Sequence, residues 1–153
     1  MVLQCCGVYF ILEQYFVDYP DPYLKGNKNE KRPCYCCFQD PKSGLYWMIP
    51  LSSQQAKIEL AKKKIREGKT DLFHLTEIGG VPGVMLIADM FPVIPSYIAG
   101  PYTWDGLPLI FKDTSEIAAI MVKAKKILAL LRRGTKFTPT QPDVFSIEKR
   151  LLE

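Results

Sequence analysis

The sequence predicts an α+β fold: a twisted, mostly antiparallel β-sheet with helices packed around it. Three observations carry that expectation. Short β-prone segments come first and amphipathic helices later, without the regular strand–helix alternation that a parallel sheet requires. Neighbouring strand segments are joined by short turns rich in Gly, Pro and Asp, as in hairpins. The 153 residues, 48% hydrophobic and 24% charged, can bury a full core without metal or disulfide staples. No internal repeat or linker divides the chain, so residues 1–153 read as a single domain.

Val8–Ile11 is apolar and β-prone, a first strand. Residues 13–28, rich in Tyr, Asp, Pro and Gly, read as a loop with a turn at Pro20–Tyr23. Cys34–Phe38 and Leu45–Leu51 flank the turn Gln39–Gly44, which predicts a hairpin. Ser52 with Gln55 three residues on has the form of a capping box. The helix it opens turns Ala56, Ile58, Ala61 and Ile65 to the core and stops at Gly68. Asp71–Leu75, Val84–Ile87 and Phe91–Ile94 follow as strands, with turns at Gly79-Gly80 and Pro82-Gly83. Asp113 and Glu116 repeat the capping-box spacing before a helix with Ile117, Ile120, Met121, Ala124, Leu128 and Leu131 on one face, ending at Gly134. Asp143 caps a final short helix through Leu152.

The single histidine excludes a two-histidine acid/base nuclease and a His-rich zinc site. His74 lies inside a strand between Phe73 and Leu75 and reads as a structural or surface histidine rather than a catalytic one, and no Gly-x-Ser-x-Gly elbow accompanies it. Cys5, Cys6, Cys34, Cys36 and Cys37 are odd in number and clustered, so they read as reduced thiols, and Cys34-x-Cys36-Cys37 lacks zinc spacing and reads as small buried hydrophobes in a strand. The N-terminus lacks the features of a signal peptide, and no apolar run reaches the ~18 residues of a membrane span. A cytoplasmic protein without metal or cofactor is expected.

The net charge of +4 hides a strong asymmetry. Residues 25–32 carry Lys25, Lys28, Lys31 and Arg32 against one acid; residues 52–69 carry Lys57, Lys62, Lys63, Lys64, Arg66 and Lys69 against two. Residues 122–136 carry six cations, among them Lys126 and Arg133, and no acid. These segments total +13, which leaves −9 on the rest. Such stripes suit a polyanion, because each neutralised phosphate releases condensed counterions. Tyr15, Tyr19, Tyr23 and Tyr35 lie near the first run, and aromatics beside lysines suit unpaired bases of single-stranded RNA. Each feature has a plainer reading, a solvated helix face or core packing.

The segment Tyr46–Ser53 feeds a strand into a helix N-terminus, where backbone N–H groups and the helix dipole favour an anion. Ser52 and Ser53 add hydroxyl donors, with Lys31-Arg32 and Lys57 close by. The ordered set Lys31-Arg32-Pro33, Gly44, Pro50-Leu51-Ser52-Ser53 and Lys57 resembles the core motif of the ToxN/AbiQ family, the endoribonuclease toxins of bacterial type III toxin–antitoxin systems. His74-Leu75-Thr76, Met90-Phe91-Pro92-Val93 and Phe145–Lys149 extend the resemblance over nearly the whole chain, which is most similar to the CptN branch. The resemblance implies a fold related to Kid/MazF toxins, metal-independent RNA cleavage, a role in phage abortive infection, and inhibition by pseudoknotted antitoxin RNA in an assembly with several toxin copies. By the same resemblance Lys31, Ser52, Ser53, Lys57 and Tyr15 are catalytic candidates, with Tyr23 a further match.

Metal-independent cleavage uses the neighbouring 2′-hydroxyl as nucleophile and leaves a 2′,3′-cyclic phosphate and a 5′-hydroxyl. Lys31 and the serine donors would stabilise the phosphorane, and either a lysine of lowered pKa or Tyr15 would move protons. Lys25, Lys28, Arg32, Tyr23, Lys62, Lys63, Lys64, Lys126 and Arg133 are the candidate RNA contacts. A non-catalytic RNA-binding module with the same basic runs, and a protein adaptor whose basic helices are merely solvated, are the rival readings.

Overall fold

The structure is a computed structural model and describes residues 3–24 and 32–153. It is built outward from one hairpin. Strands β2 (Pro33–Gln39) and β3 (Tyr46–Ser52) pair antiparallel, with Cys34 opposite Pro50 and Gln39 opposite Tyr46. Cys34–Phe38 and Leu45–Leu51 are buried without a break. A strand with one wet face would expose every second residue, so both faces of this hairpin are covered. Gly44 turns the chain at φ 77°, a conformation that favours glycine.

The sheet grows from both sides of the hairpin, and every strand pair in it is antiparallel. On one side β1 (Val8–Ile11) pairs with β2, and Ile98–Pro101 pairs with β1. On the other side the two ends of β3 take different partners. Leu51 and Ser52 pair with β5 (Val81–Leu86), which carries β4 (Phe73–Ile78) at the sheet edge. Tyr46–Met48 pair with β6 (Phe91–Val93). This is the α+β, mostly antiparallel class that the strand order implies.

Strand alternation assigns the faces. Trp47, Ile49 and Leu51 point one way from β3, and Met48, Pro50 and Ser52 the other. Leu51 pairs with Met85, and Met85 with His74, so these share the first face. It is covered by α3 (Thr114–Arg132), whose Glu116 reaches His74, and by α4 (Val144–Leu151), whose Phe145 packs on Trp47. The second face carries Val84, Leu86 and Phe73 under Ile58 and Ala61 of α2 (Gln55–Arg66). There too Tyr15 of α1 (Glu13–Asp18) packs on Phe91, ring centroids 5.5 Å apart. Ile120, Ala124, Ile127, Leu128 and Leu131 form the buried stripe of α3, at the helical spacing expected. Arg132 joins α3 to α4 through two bonds to Glu148, at 2.9 and 2.8 Å.

Several local expectations are corrected. Residues 13–18 form a helix, not a loop, because burying Tyr15 outweighs weak intrinsic propensity. Pro82-Gly83 lies within β5, not in a turn; a Cβ at Gly83 would come within 2.3 Å of Ile78 Cδ1, so glycine there admits the facing side chain. The segment after Ile98, unassigned from sequence, holds β7 (Ile98–Pro101) and a small hairpin, β8 (Thr103–Trp104) with β9 (Leu107–Pro108), turned by Asp105-Gly106 at φ 55° and 79°. Ala56 is exposed. Glu116 does not close a capping box; its carboxylate crosses to β4.

Asp113 does cap α3, accepting from the amides of Ser115 and Glu116 at 3.0 and 3.2 Å. The Ser115 hydroxyl, then those amides, hold its carboxyl below the usual range. A carboxyl more acidic folded than unfolded contributes stability that is full above the ordinary Asp value of about 3.9 and is lost as pH falls through the folded value. Asp113→Ala is therefore expected to lower the thermal midpoint at neutral pH, with the gap to wild type closing below about pH 4. Unfolding scans across that range check it; a pH-independent gap would contradict the cap.

Candidate functional site

The second face of the hairpin leads to the site. Cys34 pairs with Pro50, and continuing that register brings Arg32 abreast of Ser52, on the side where α2 lies. The chain stays extended beyond Ser52. Ser52 Oγ accepts from the Gln54 amide at 3.2 Å, a local serine turn, and α2 begins at Gln55. The expected cap at Ser52 is thereby corrected: the N-cap is Gln54 (φ −66°, ψ 128°), and its side chain makes no capping bond. Gln54 O takes the amides of Lys57 and Ile58. The Gln55 and Ala56 amides have no acceptor within the helix, as first-turn amides do not. A strand end with two serines thus runs into a helix start whose leading N–H groups point outward.

Beside this link lies a cavity of about 210 Å³. Arg32 and Cys34 of the β2 end, Pro50 of β3 and Lys57 of α2 line it. So do Phe16, Tyr23 and Leu24, and Asp89, Phe91, Thr138, Thr140 and Pro142. These segments are far apart in sequence, but they are tied together. Asp21 Oδ1 accepts from the Tyr23 amide at 2.8 Å, and its Oδ2 accepts from the Asp143 amide at 3.0 Å. Gln141 Nε2 donates to Ala88 O at 2.7 Å. Burial holds the Cys34 thiol protonated, with its pKa pushed up to about 12, so it lines the cavity as an apolar group.

The predicted site residues divide. Arg32, Lys57 and Tyr23 meet at the cavity, with Ser52 and Ser53 on the link beside it. Lys25, Lys28 and Lys31 lie outside the described residues; Lys31 directly precedes Arg32. Lys62 and Lys64 follow on α2 and face Glu59 and Glu67 at 3.6 and 4.0 Å, while Lys63 is exposed. Lys126 is paired with Asp71 at 2.7 Å, and Arg133 is exposed at the end of α3.

Tyr15 is corrected as a proton-transfer candidate. It is 0% exposed, ringed by Phe16, Tyr19, Phe91 and Tyr97, and its hydroxyl donates to Pro92 O at 2.7 Å. Burial raises its pKa well above the ordinary tyrosine value. His74 is likewise held in place. Lys123 Nζ donates to its Nδ1 at 3.2 Å, so Nε2 carries the proton and donates to Glu116 at 2.9 Å. Thr76 donates to the same Glu116 oxygen, and Lys123 also bonds Phe73 O. The group fastens β4 to α3.

The chain shares its fold with AbiQ. This lactococcal anti-phage endoribonuclease, of a type III toxin–antitoxin system, superposes with a TM-score of 0.61 over 96% of each chain at 13% identity. A second solved chain, from a bacterial antiviral system regulated by a processed non-coding RNA, gives a TM-score of 0.62 at 13% identity, covering 94% of this chain and 96% of that one. No protein-family model and no curated protein matches the sequence. These structural neighbours are the ones the ToxN/AbiQ motif resemblance points to, and the fold is the one it implies.

The lining by Asp89, Thr138 and Thr140 is absent from the sequence reading. Thr138-Pro139-Thr140 sits in an ordinary helix-to-helix connection and gives no local signal. The Gln141 and Asp143 bonds tie the connection to Ala88 and Asp21, beside the cavity.

The Tyr15 assignment has a direct check. Tyr15→Phe leaves the buried Pro92 carbonyl without this donor and is expected to cost about 1–3 kcal/mol of unfolding free energy in urea. No loss of stability would contradict the buried role.

Proposed function

We propose that this chain is the toxin of a bacterial type III toxin–antitoxin system, a cytoplasmic endoribonuclease that cleaves RNA without a metal ion. The observation that carries this reading is one juxtaposition. Arg32 and Lys57 line one cavity, and the Ser52-Ser53 link that joins Pro50 of its lining to the uncapped start of α2 runs beside it, in a fold also found in an anti-phage endoribonuclease. Two cations, two hydroxyls and outward amides are what a phosphodiester dianion in its transition state needs.

In this reading a scissile phosphate lies over the Ser52–Gln55 link. The 2′-hydroxyl gives up its proton and its oxygen attacks phosphorus. Arg32, Lys57, the serine hydroxyls and the α2 amides stabilise the phosphorane charge. The P–O5′ bond breaks, the departing oxygen takes a proton, and the products are a 2′,3′-cyclic phosphate and a 5′-hydroxyl. With Tyr15 committed to the core, proton transfer falls to the lysines, Lys31 and Lys57. The exposed cations of α2 extend the path for RNA beyond the groove. A pseudoknotted antitoxin RNA would occupy the same basic surface, binding several toxin copies and blocking the groove.

Expression without antitoxin is expected to arrest bacterial growth. Lys31→Ala, Lys57→Ala and Ser53→Ala are each expected to lower cleavage about 10²–10³-fold and to relieve the arrest. Tyr15→Phe should still cleave. EDTA should leave cleavage intact, and the 3′ ends should be cyclic phosphates. Full toxicity of all three alanine variants would rule out this site, and EDTA inhibition would rule out the metal-free mechanism. RNA retained intact on a denaturing gel would instead favour a non-catalytic binding module.

A further inference from the structure

We propose that the cavity beside Lys57 is a nucleobase subsite: it takes the base next to the scissile phosphate, stacked on Tyr23 and read by the hydroxyls of Thr138 and Thr140. The inference rests on the nuclease reading and adds to it the residues that choose the sequence cut.

Size is the first argument. At about 210 Å³ the cavity is smaller than the ~300–1,000 Å³ pockets that enclose a whole ligand. It suits one planar group of a chain that continues over the surface. Charge is the second. Lys57 and Arg32 line the cavity together with one carboxylate, Asp89, and with aromatic and hydroxyl side chains, so a phosphate held by the two cations keeps its nucleoside within reach of those groups. Phe16 and Phe91 line it 6.2 Å apart by ring centroids, and Tyr23, 47% exposed, lines it as well and can cover an inserted ring. Base–aromatic stacking is how single-stranded RNA is gripped.

The third argument is the polar edge. Thr138 and Thr140 hydroxyls lie 3.4 Å from each other, a long contact that leaves each able to donate to or accept from a base edge. The fourth is preorganisation. Asp21 joins the Tyr23 segment to the start of α4, and Gln141 joins the threonine segment to the turn that carries Asp89. The backbone that carries Tyr23 and the threonines is therefore tied in place before RNA arrives, which lowers the ordering cost of binding. A site for a free inorganic anion would need neither the aromatic walls nor the tied threonine segment.

The test uses the full chain and two sets of single-stranded oligoribonucleotides, varying the base on either side of one cleavable linkage. The second set carries a 2′-deoxy nucleotide there, so that it binds uncut. Wild type is expected to favour one base at one flanking position by about tenfold in kcat/KM, and to show the same order in affinity for the uncut set. The Thr138→Val/Thr140→Val double variant should bring the ratio between bases toward one. Thr138→Ser/Thr140→Ser, which keeps the hydroxyls, should retain it. Tyr23→Ala should weaken binding about tenfold for every base alike. A preference unchanged in the valine variant, or lost equally in the serine variant, would overturn the subsite. If wild type binds the uncut set with this preference but cleaves nothing, the subsite stands and the nuclease reading fails. If it cleaves with no base preference, the reverse holds.

Discussion

The β2–β3 hairpin is buried on both faces along nearly its whole length, and the rest of the structure follows from that burial. Backbone polar groups of such a pair are satisfied only by neighbouring strands, and its side chains only by layers above and below. Hence strands on both sides, α1 and α2 over one face, α3 and α4 over the other. Hence also the location of the polar chemistry. Charge has no place in the middle of the hairpin, so cations and hydroxyls gather where it ends, at Arg32 before β2 and at Ser52-Ser53 after β3. The antiparallel register makes these two ends neighbours. A site built there stands at the end of a hairpin buried on both faces and opens onto solvent.

The segmental charge is less uniform in space than along the chain. Lys125 stacks on Phe38 at 3.7 Å, Lys126 is paired with Asp71, and Lys123 is turned inward, its pKa lowered by burial, to hold His74 and Phe73. Arg132 is bound to Glu148. The four cations of this run that lie on α3 therefore fasten the helix to its surroundings. On α2 the lysines face solvent, two of them moderated by glutamates one turn away, and exposed pairs of that kind are weak enough to yield to a phosphate. Among the described residues, the α2 run beside the serine link keeps most of its cations exposed to a polyanion.

What was legible in the sequence was local. The Gln39–Gly44 turn, the caps at Asp113 and Asp143, the stop at Gly68 and the stripe of α3 all have their causes within a few residues, and the structure has them. What was not legible depends on distant partners. Residues 13–18 lack a helical pattern and are helical because Tyr15 docks under β6. Ser52 has the spacing of a cap but is pulled straight by pairing with Val84 on β5. Glu116 has the spacing of a capping box, yet His74 and Thr76 claim it from across the interface. For the site, Lys57, Arg32 and the serines were legible as a cluster around one strand–helix link. The cavity beside them was not, since the rest of its lining comes from residues 16–24, 89–91 and 138–142.

The central claim is a place: RNA phosphate binds over the link between β3 and α2. Amide chemical-shift mapping with an uncleavable single-stranded oligonucleotide, 2′-deoxy at one position, tests it most directly. The largest changes are expected at Ser53–Lys57 and Arg32, with a second set at Tyr23 and Thr138–Thr140, and they should weaken steeply with salt. Changes confined to α3 around Lys125 and Lys126, with the Ser53–Lys57 amides unmoved, would contradict the account.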